Sequence, residues 1–303
     1  MIYNPLVSST IPEISTDLAW GVDSEHGVLR DVLLCPPDHF RWLPTSAISQ
    51  ATLDSGAQFD RDLALRQHRE MVACYEQEGV TCHFLKADPA LPYQVFARDS
   101  STGTPMGGIV LALQQWWRRG ENAAVVDFYN SAGIPLVGTV TAAAVEGGDV
   151  MIVEPGCVLI GCGETRTQEQ GARQLAALFG EMGWEARVQP FPARYVHLDV
   201  VYATLGEKLG AVCPAAAPAS LISWLRGKGF DLIEIPDDEA FTLGVNAMPL
   251  GADRVLSSFD AQTLNSALRA RGVTVLDPLL SMFTAGGGGA HCMAQALRRD
   301  RCA

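Results

Sequence analysis

The sequence predicts an α/β protein, because a helix-like stretch followed by a strand-like run recurs along the chain. In each copy, apolar residues at helical spacing end at a glycine, and a short β-rich run follows. A glycine in this place caps a helix in the left-handed conformation. The five copies read REMVACYEQEGVTCHFL, AAVVDFYNSAGIPLVGTV, LAALFGEMGWEARVQPF, ISWLRGKGFDLIEIP and LNSALRARGVTVLDP.

The spacing of the capping glycines indicates a repeat. Successive glycines lie about 43 to 54 residues apart, a period typical of radial or stacked repeats. An ordinary doubly wound sheet also alternates helices with strands, so the pattern alone leaves both architectures open. Two further apolar runs around a turn, GDVMIVEPGCVLIGCG, favour the radial arrangement. The capping glycines are Gly79, Gly133, Gly183, Gly229 and Gly272.

The composition predicts one globular domain over residues 1–303. Of these residues, 48% are apolar and 18% are charged, which provides for a large core. No linker, charge block or low-complexity segment divides the chain. The 34 acidic and 22 basic side chains give a formal charge of -12, which argues against nucleic acid as a partner.

The sequence indicates a cytoplasmic protein without a membrane anchor. Its first residues, MIYNPLVSSTIPEIS, lack a targeting signal, and no apolar run reaches the roughly 18 residues of a membrane span. Eight cysteines without CxxC spacing indicate neither a zinc knuckle nor a disulfide framework. They fit a reducing compartment, in which most cysteines are small buried hydrophobic residues.

Cys292 is the first candidate for chemistry, because four glycines precede it in GGGGAHCMAQAL. This loop lacks the Lys-Ser/Thr ending of a phosphate loop, so it does not indicate nucleotide binding. A cysteine attacks as a thiolate, and the helix-like CMAQALRR predicts that Cys292 lies at a helix N-terminus, which stabilises the anion. Taken alone, such a cysteine is more often structural than catalytic.

Three other stretches carry polar residues next to apolar runs. YVHLDVV predicts a strand with His197 and Asp199 on the same face. AVEGGDVMI places Glu146 without solvated neighbours, and VFARDSS places Asp99 after an apolar run, with Arg98 facing solvent. Each stretch alone also fits a plain surface group or a satisfied core histidine.

Together these side chains suit one kind of ligand. A thiol, a histidine and three carboxylates match a planar cation with several N–H donors, as in a guanidinium group. The carboxylates would bind the nitrogens and leave the central carbon open to the sulfur. The histidine would protonate the departing amine and later activate water.

The ordered motifs FARD, VEGGD, HLD and GGGGAHCM resemble those of the guanidine-modifying superfamily: arginine deiminases, dimethylarginine dimethylaminohydrolases and amidinotransferases. The resemblance covers Asp99 to Met293, and DSEHGVLRDVLLCPP is similar to the family's first strand. It implies a five-bladed, pseudo-symmetric α/β-propeller of repeated ββαβ units around a central active site. That fold resolves the choice left open by the repeat.

The resemblance also implies roles for seven residues, with no metal or organic cofactor. Cys292 matches the nucleophile, His197 the acid/base and Glu146 the carboxylate beside them. Asp99 and Asp199 match aspartates that clamp the guanidinium. The substrate's α-carboxylate is expected at Arg118, in WWRRG, and Arg166, in GETRTQEQG. The alternative for both arginines is a solvated helix charge, and for Arg118 also a one-residue slip to Arg119.

The branch of the family is indicated by three features. Asp199 favours an unmethylated guanidine, whereas the chain length is nearer that of the dimethylaminohydrolases. Gly287 stands where usual deiminases carry an arginine, five positions before the nucleophile. The charge-assisted contact that is missing there is worth roughly 1.5 to 3 kcal/mol. Its absence implies that another residue binds the substrate's carboxylate, or that the substrate is another arginine-like compound.

The sequence therefore predicts cysteine-dependent hydrolysis of the guanidine of an arginine-like amino acid through an S-alkylthiouronium intermediate, in one round or two. The alternatives are a dimethylarginine dimethylaminohydrolase, an amidinotransferase and, from another class, a non-catalytic amino-acid sensor. The expected partner is a small guanidino amino acid, and a homo-oligomer is compatible with the sequence.

We expect the glycines before Cys292 to keep the substrate path bare, and residues 43–60 to form either a lid or a surface loop without function.

Overall fold

Five three-stranded sheets make up the α/β architecture of residues 19–302, the part of the chain that the computed structural model describes. The N-terminal segment MIYNPLVSSTIPEIS lies outside the described residues. The strands are β1 (Leu29–Leu34), β2 (Thr81–Phe84), β3 (Ser101–Thr104), β4 (Gly107–Val110), β5 (Leu136–Thr139), β6 (Val150–Glu154), β7 (Cys157–Cys162), β8 (Glu185–Pro190), β9 (Tyr202–Gly206), β10 (Leu209–Val212), β11 (Asp231–Glu234), β12 (Met248–Pro249), β13 (Arg254–Leu256), β14 (Thr274–Leu276) and β15 (Gln295–Arg299).

Helices connect the strands. One long helix lies within each of the five repeated units, and three shorter helices lie in the connections between them. The helices are α1 (Ala47–Asp54), α2 (Arg61–Gln77), α3 (Glu121–Ala132), α4 (Glu169–Glu181), α5 (Ala219–Gly227), α6 (Asp237–Phe241), α7 (Gln262–Ala270) and α8 (Ser281–Thr284).

Each unit has the same ββαβ order. In the unit of β6 to β8, for example, β6 pairs antiparallel with β7, helix α4 follows, and β8 then pairs parallel with β7. The first strand of each unit is the inner one, and these strands meet around the axis: β15 lies against β3, β6 against β9, and β9 against β12. This arrangement is the five-unit α/β-propeller that the repeat and the resemblance predict.

Residues from both ends of the described chain close the ring. The C-terminal strand β15 pairs antiparallel with β1, and Leu33 lies opposite Gln295. The predicted helix over CMAQALRR is therefore wrong. Its helix-prone Ala and Leu residues extend as a strand because ring closure offers β15 a partner far away in sequence, and such pairing overrides local propensity.

The five predicted glycine caps are confirmed. Gly79, Gly133, Gly183, Gly229 and Gly272 have φ between 69° and 86°, in the left-handed region, and each joins a helix to the outer strand of its unit. The predicted hairpin around EPGC is also confirmed, as the turn between β6 and β7.

The core lies between the helices and the sheets. On helix α4, Leu175 and Phe179 are fully buried and pack with Val158 and Ile160 of β7. Burial of one such side chain contributes roughly 1.5 to 3 kcal/mol. Among the described residues, no helix combines the length and the apolar character that crossing a bilayer requires.

A pair of glycines tests the role of the caps. Gly183 has φ +79° and Gly180 lies within helix α4, and neither has an atom within 4 Å of an added Cβ. We expect Gly183→Ala to lower the free energy of unfolding by roughly 1 to 2 kcal/mol, because a left-handed conformation strains an alanine. Gly180→Ala, the matched control, should raise it by up to about 1 kcal/mol. Urea unfolding of both variants measures this, and equal effects would contradict the cap.

Candidate active site

The site lies where the chain turns into the inner strands, at the centre of the ring. Three single 3₁₀ turns, Ala97–Ser100, Gly147–Asp149 and Leu198–Val200, come just before β3, β6 and β9. Each carries one buried aspartate, and the connections before β12 and β15 carry Asn246 and Cys292 at similar positions. All five units therefore direct one polar group to the same place. The aspartates are Asp99, Asp149 and Asp199.

His197 lies directly before one of these turns, so the predicted strand over YVHLDVV is wrong. The turn still directs both predicted side chains to the centre, where His197 is 2% and Asp199 0% exposed. His197 Nε2 lies 2.8 Å from Glu146 Oε2. Arg166 donates to the same oxygen at 3.0 Å, and the backbone N–H of Gln114 donates to Glu146 Oε1 at 3.1 Å.

Arg118 holds the second carboxylate. Its guanidinium donates to Asp99 Oδ2 at 2.7 Å and bidentately to Glu121, at 2.8 Å for both contacts. Arg118 is 1% exposed, whereas Arg119 is exposed, so Arg118 is the arginine that reaches the site and the solvated-charge alternative is wrong. In this structure it positions Asp99, and its binding of an α-carboxylate stays a prediction.

Cys292 lies between a donor and an acceptor. Its Sγ is 3.1 Å from Asn246 Nδ2 and 3.5 Å from Asp199 Oδ2. Because β15 replaces the predicted helix, no helix N-terminus stabilises a thiolate here. Burial, together with the charges of Asp199 and Asp99, raises the pKa of the Cys292 thiol to about 12, although His197 acts in the opposite direction.

The protonation of His197 follows from the same charges. Burial disfavours the imidazolium, but the carboxylates of Asp99 and Asp149 outweigh burial and hold the pKa of His197 well above its usual 6.5. At neutral pH the free site therefore contains a thiol beside an imidazolium. The imidazolium can protonate a leaving group, and the thiol needs a change of surroundings before it can attack.

A buried network behind the nucleophile contains residues that sequence reasoning missed. His291 Nδ1 lies 2.9 Å from Asp199 Oδ2, and Glu25 pairs with Arg98 at 3.3 Å. Arg98 was predicted to face solvent, but it is 3% exposed and donates to the carbonyl oxygens at 147 and 150. Its charge is buried because a carboxylate and two carbonyl oxygens satisfy it.

Asn246 was missed as well. The signal available in the sequence is its place in GVNAMPL, directly before the first apolar run of its unit, which corresponds to the place of Asp99 before β3.

The four glycines before Cys292 each admit a different neighbour. An added Cβ would lie 2.6 Å from Phe40 at Gly286, 2.7 Å from Ser46 at Gly287, 2.3 Å from Phe96 at Gly288 and 2.7 Å from Asn246 at Gly289. Gly286 and Gly287 also line the cavity that contains Cys292, so a bare substrate path at these glycines stays a prediction. All four glycines let side chains from three other segments pack against the nucleophile loop.

Residues 43–60 cover the site. Thr45 and Ser46 line a cavity with Arg118, Arg166, His197 and Cys292, and its volume of about 10 Å³ has room for about one water. The carbonyl oxygen of Thr45 accepts from Arg166 at 2.8 Å, and α1 follows with a capping box between Ser46 and Ser49. An amino acid does not fit a cavity of this size, and movement of this segment as a lid stays a prediction.

Asp99, Glu146 and His197 could also hold a metal ion, because one ligand atom from each lies within 4.8 Å of the others. Their negative charge is already balanced by Arg118 and Arg166, at 2.7 Å and 3.0 Å. A metal ion would have to displace both arginines or bind beside them, so the side chains fit a hydrogen-bonded organic cation better.

Asp149 offers a test of the charge balance. It is buried, burial raises its pKa to about 6, and its Oδ1 accepts from the backbone N–H of Leu198. Asp149→Asn keeps that acceptor but removes one of the charges that favour the imidazolium, so we expect the pKa of His197 to fall. NMR titration of the labelled imidazole measures this. Asp127→Asn, at an exposed position on α3, is the control, and an unchanged His197 titration in Asp149→Asn would contradict the assignment.

Comparison with known proteins points to one family. The family model described as N,N dimethylarginine dimethylhydrolase, eukaryotic, matches residues 37–299. The chain is 28% identical to the uncharacterised protein YkgA of Bacillus subtilis (strain 168), over 91% of this chain and 94% of that protein. It is also 28% identical to an arginine deiminase of Mycobacterium marinum, over 84% of this chain and 69% of that protein.

Solved structures confirm the fold. A mutant dimethylarginine dimethylaminohydrolase from Pseudomonas aeruginosa, complexed with citrulline, has a TM-score of 0.75 at 22% identity, covering 88% of this chain and 99% of that one. The N-terminal domain of ArgZ, an arginine dihydrolase from cyanobacteria, has a TM-score of 0.77 at 19% identity, covering 89% and 97%.

Proposed function

Because the chain belongs to the dimethylarginine dimethylhydrolase family of guanidine-modifying enzymes, we propose that it hydrolyses the guanidine group of an arginine-like amino acid. One observation carries this proposal: the thiol of Cys292, the imidazole of His197 and the carboxylate of Asp99 line one cavity. Asp199 adds a second carboxylate 3.5 Å from the sulfur.

The charges of the site explain why a cationic substrate activates the nucleophile. Asp199 and Asp99 raise the pKa of the Cys292 thiol. A guanidinium bound between these carboxylates cancels their effect on the sulfur, so the thiolate forms when the substrate is in place. The thiol proton leaves by way of Asp199 Oδ2, its nearest acceptor.

The reaction then proceeds in two halves. Sulfur forms a bond to the central carbon, His197 gives its proton to one nitrogen, and ammonia departs, leaving a cationic S-alkylthiouronium and a neutral imidazole. In the second half, His197 takes a proton from water, the hydroxide adds to the same carbon, and the C–S bond breaks. The hydroxyl group of this adduct loses its proton to bulk water as the bond breaks, so that a neutral ureido product and the thiolate result. Glu146, 2.8 Å from His197 Nε2, orients the ring and favours its protonated form.

Arg166 is the main candidate to bind the anionic end of the substrate. It lines the cavity and is held by Glu146 and by the carbonyl oxygen of Thr45, a contact that ends when residues 43–60 move. A side chain at Gly287 is strained, because φ is +97° there and Ser46 Oγ would lie 2.7 Å from an added Cβ. The arginine that usual deiminases place there has no counterpart, so Arg166, with Arg118 beside it, takes over that contact.

Two substrates compete for this site. Asp199 lies within reach of both the sulfur and the guanidinium nitrogens, and a carboxylate there needs an N–H to accept from, which favours unmethylated arginine. The description of the matching family favours dimethylarginine as the second candidate.

Mass spectrometry separates these activities. We expect citrulline and ammonia from arginine. Dimethylamine released from dimethylarginine would favour the second candidate. Ornithine would show two rounds of hydrolysis, and a product formed only with an added amine would show amidino transfer.

Cys292→Ser should lower kcat by at least about 10³-fold, because the nucleophile is lost. Cys213→Ser, at another buried cysteine, should keep activity. Turnover by Cys292→Ser at the wild-type rate would refute the proposal.

A further inference from the structure

We propose that Asn246 is a catalytic residue, whose carboxamide donates a hydrogen bond to the sulfur of Cys292 and stabilises it whenever the sulfur is anionic. The juxtaposition is direct: Asn246 Nδ2 lies 3.1 Å from Cys292 Sγ, and the side chain is 2% exposed. The role of Asn246 in turnover rests on the proposed function. The contact between Asn246 and Cys292 does not depend on the substrate.

Backbone contacts fix which end of the amide faces the sulfur. Asn246 Oδ1 accepts from the N–H of His291 at 3.0 Å and from the N–H of Cys292 at 3.3 Å. The flipped amide would direct its NH2 group at these two donors and leave them buried without an acceptor. The orientation with Nδ2 toward the sulfur is therefore the only one that satisfies the neighbouring groups.

The repeat makes this asparagine distinctive. The corresponding connections before β3, β6 and β9 carry Asp99, Asp149 and Asp199, so three units supply a carboxylate and the fourth supplies an amide. A carboxylate 3.1 Å from the sulfur would repel a thiolate, whereas the amide of similar shape donates to it.

The adjoining loop is built to allow this contact. An added Cβ at Gly289 would lie 2.7 Å from Asn246 Oδ1, so a side chain there would push the amide away from the sulfur.

The hydrogen bond matters most at two moments. Sulfur is anionic just before it attacks, and again when the C–S bond of the second tetrahedral adduct breaks. In the thiouronium between them the sulfur carries no negative charge and accepts a weaker hydrogen bond. Asn246 therefore favours the thiolate over the covalent adduct and assists its departure in the second half of the reaction.

The first test needs no substrate. Alkylation of Cys292 by iodoacetamide, followed between about pH 7 and pH 10 by mass spectrometry of its peptide, has a rate proportional to the fraction of thiolate at each pH. Asn246→Ala should raise the pKa of the thiol by about one unit or more, because a hydrogen bond to the anion is lost, and should therefore lower the alkylation rate about tenfold at each pH. Asn246→Asp should raise the pKa further, and this variant keeps acceptors for the N–H groups of His291 and Cys292 if the alanine variant does not fold.

Asn265→Ala is the matched control. Asn265 is also buried, and its Nδ2 donates to the carbonyl oxygen of Ser258 at 2.9 Å, but it does not contact Cys292. It should lower stability without moving the alkylation profile. If the Asn246 variants lose stability as Asn265→Ala does and alkylate with the wild-type pH profile, Asn246 is only structural and the inference is overturned.

The second test uses turnover. With arginine and rapid quenching, Asn246→Ala should accumulate about tenfold more covalent adduct on Cys292 than the wild type, because thiolate departure slows. Unchanged adduct levels in a protein that turns arginine over would contradict the role in the second half. A shifted alkylation profile without any turnover of arginine would sink the proposed function and leave the contact standing.

Discussion

The fold and the site depend on one constraint: every carboxylate buried at the ring centre needs a hydrogen-bond donor or a cation. A buried charge without a partner is strongly destabilising, and removing one member of a buried pair typically costs about 3 to 5 kcal/mol. Two of the pairs lie within one repeat unit, and the other two join separate units of the ring. The pairs are Glu25 with Arg98, Asp99 with Arg118, Glu146 with Arg166, and Asp199 with His291.

In the proposed function, the same balance selects the ligand. The four pairs satisfy the resident charges, but Asp99 and Asp199 still act on Cys292 and raise the pKa of its thiol. An anion entering the cavity would add to their effect, whereas a flat cation reduces it. Selection of the substrate and activation of the nucleophile thus have one electrostatic cause, which a neutral compound of the same shape does not supply.

Sequence reasoning reached the repeat and the convergent side chains because both have local signatures. A helix that ends in a left-handed residue favours glycine, which adopts that conformation without strain, and the five caps have positive φ as predicted. Sequence reasoning failed where contacts with distant segments determine the local structure. The run after Cys292 is strand β15, and His197 precedes a 3₁₀ turn. Glu25 and His291 were missed because their importance lies in contacts with Arg98 and Asp199, which no spacing in the sequence reveals. Asn246 could be found only by comparing equivalent positions of the repeat.

The glycine loop shows how rigidity and access are divided. The loop is held in place by three side chains that occupy the space beside its glycines. These side chains are Phe40 at Gly286, Phe96 at Gly288 and Asn246 at Gly289. Gly287 instead faces Ser46, at the start of the segment that covers the cavity. Ser46 thus fills the position that a fixed cationic side chain would need, and in the proposed function Arg166 supplies that contact instead. In the proposed function, closure of residues 43–60 brings Thr45 back to Arg166 and excludes water from the thiol in a single movement.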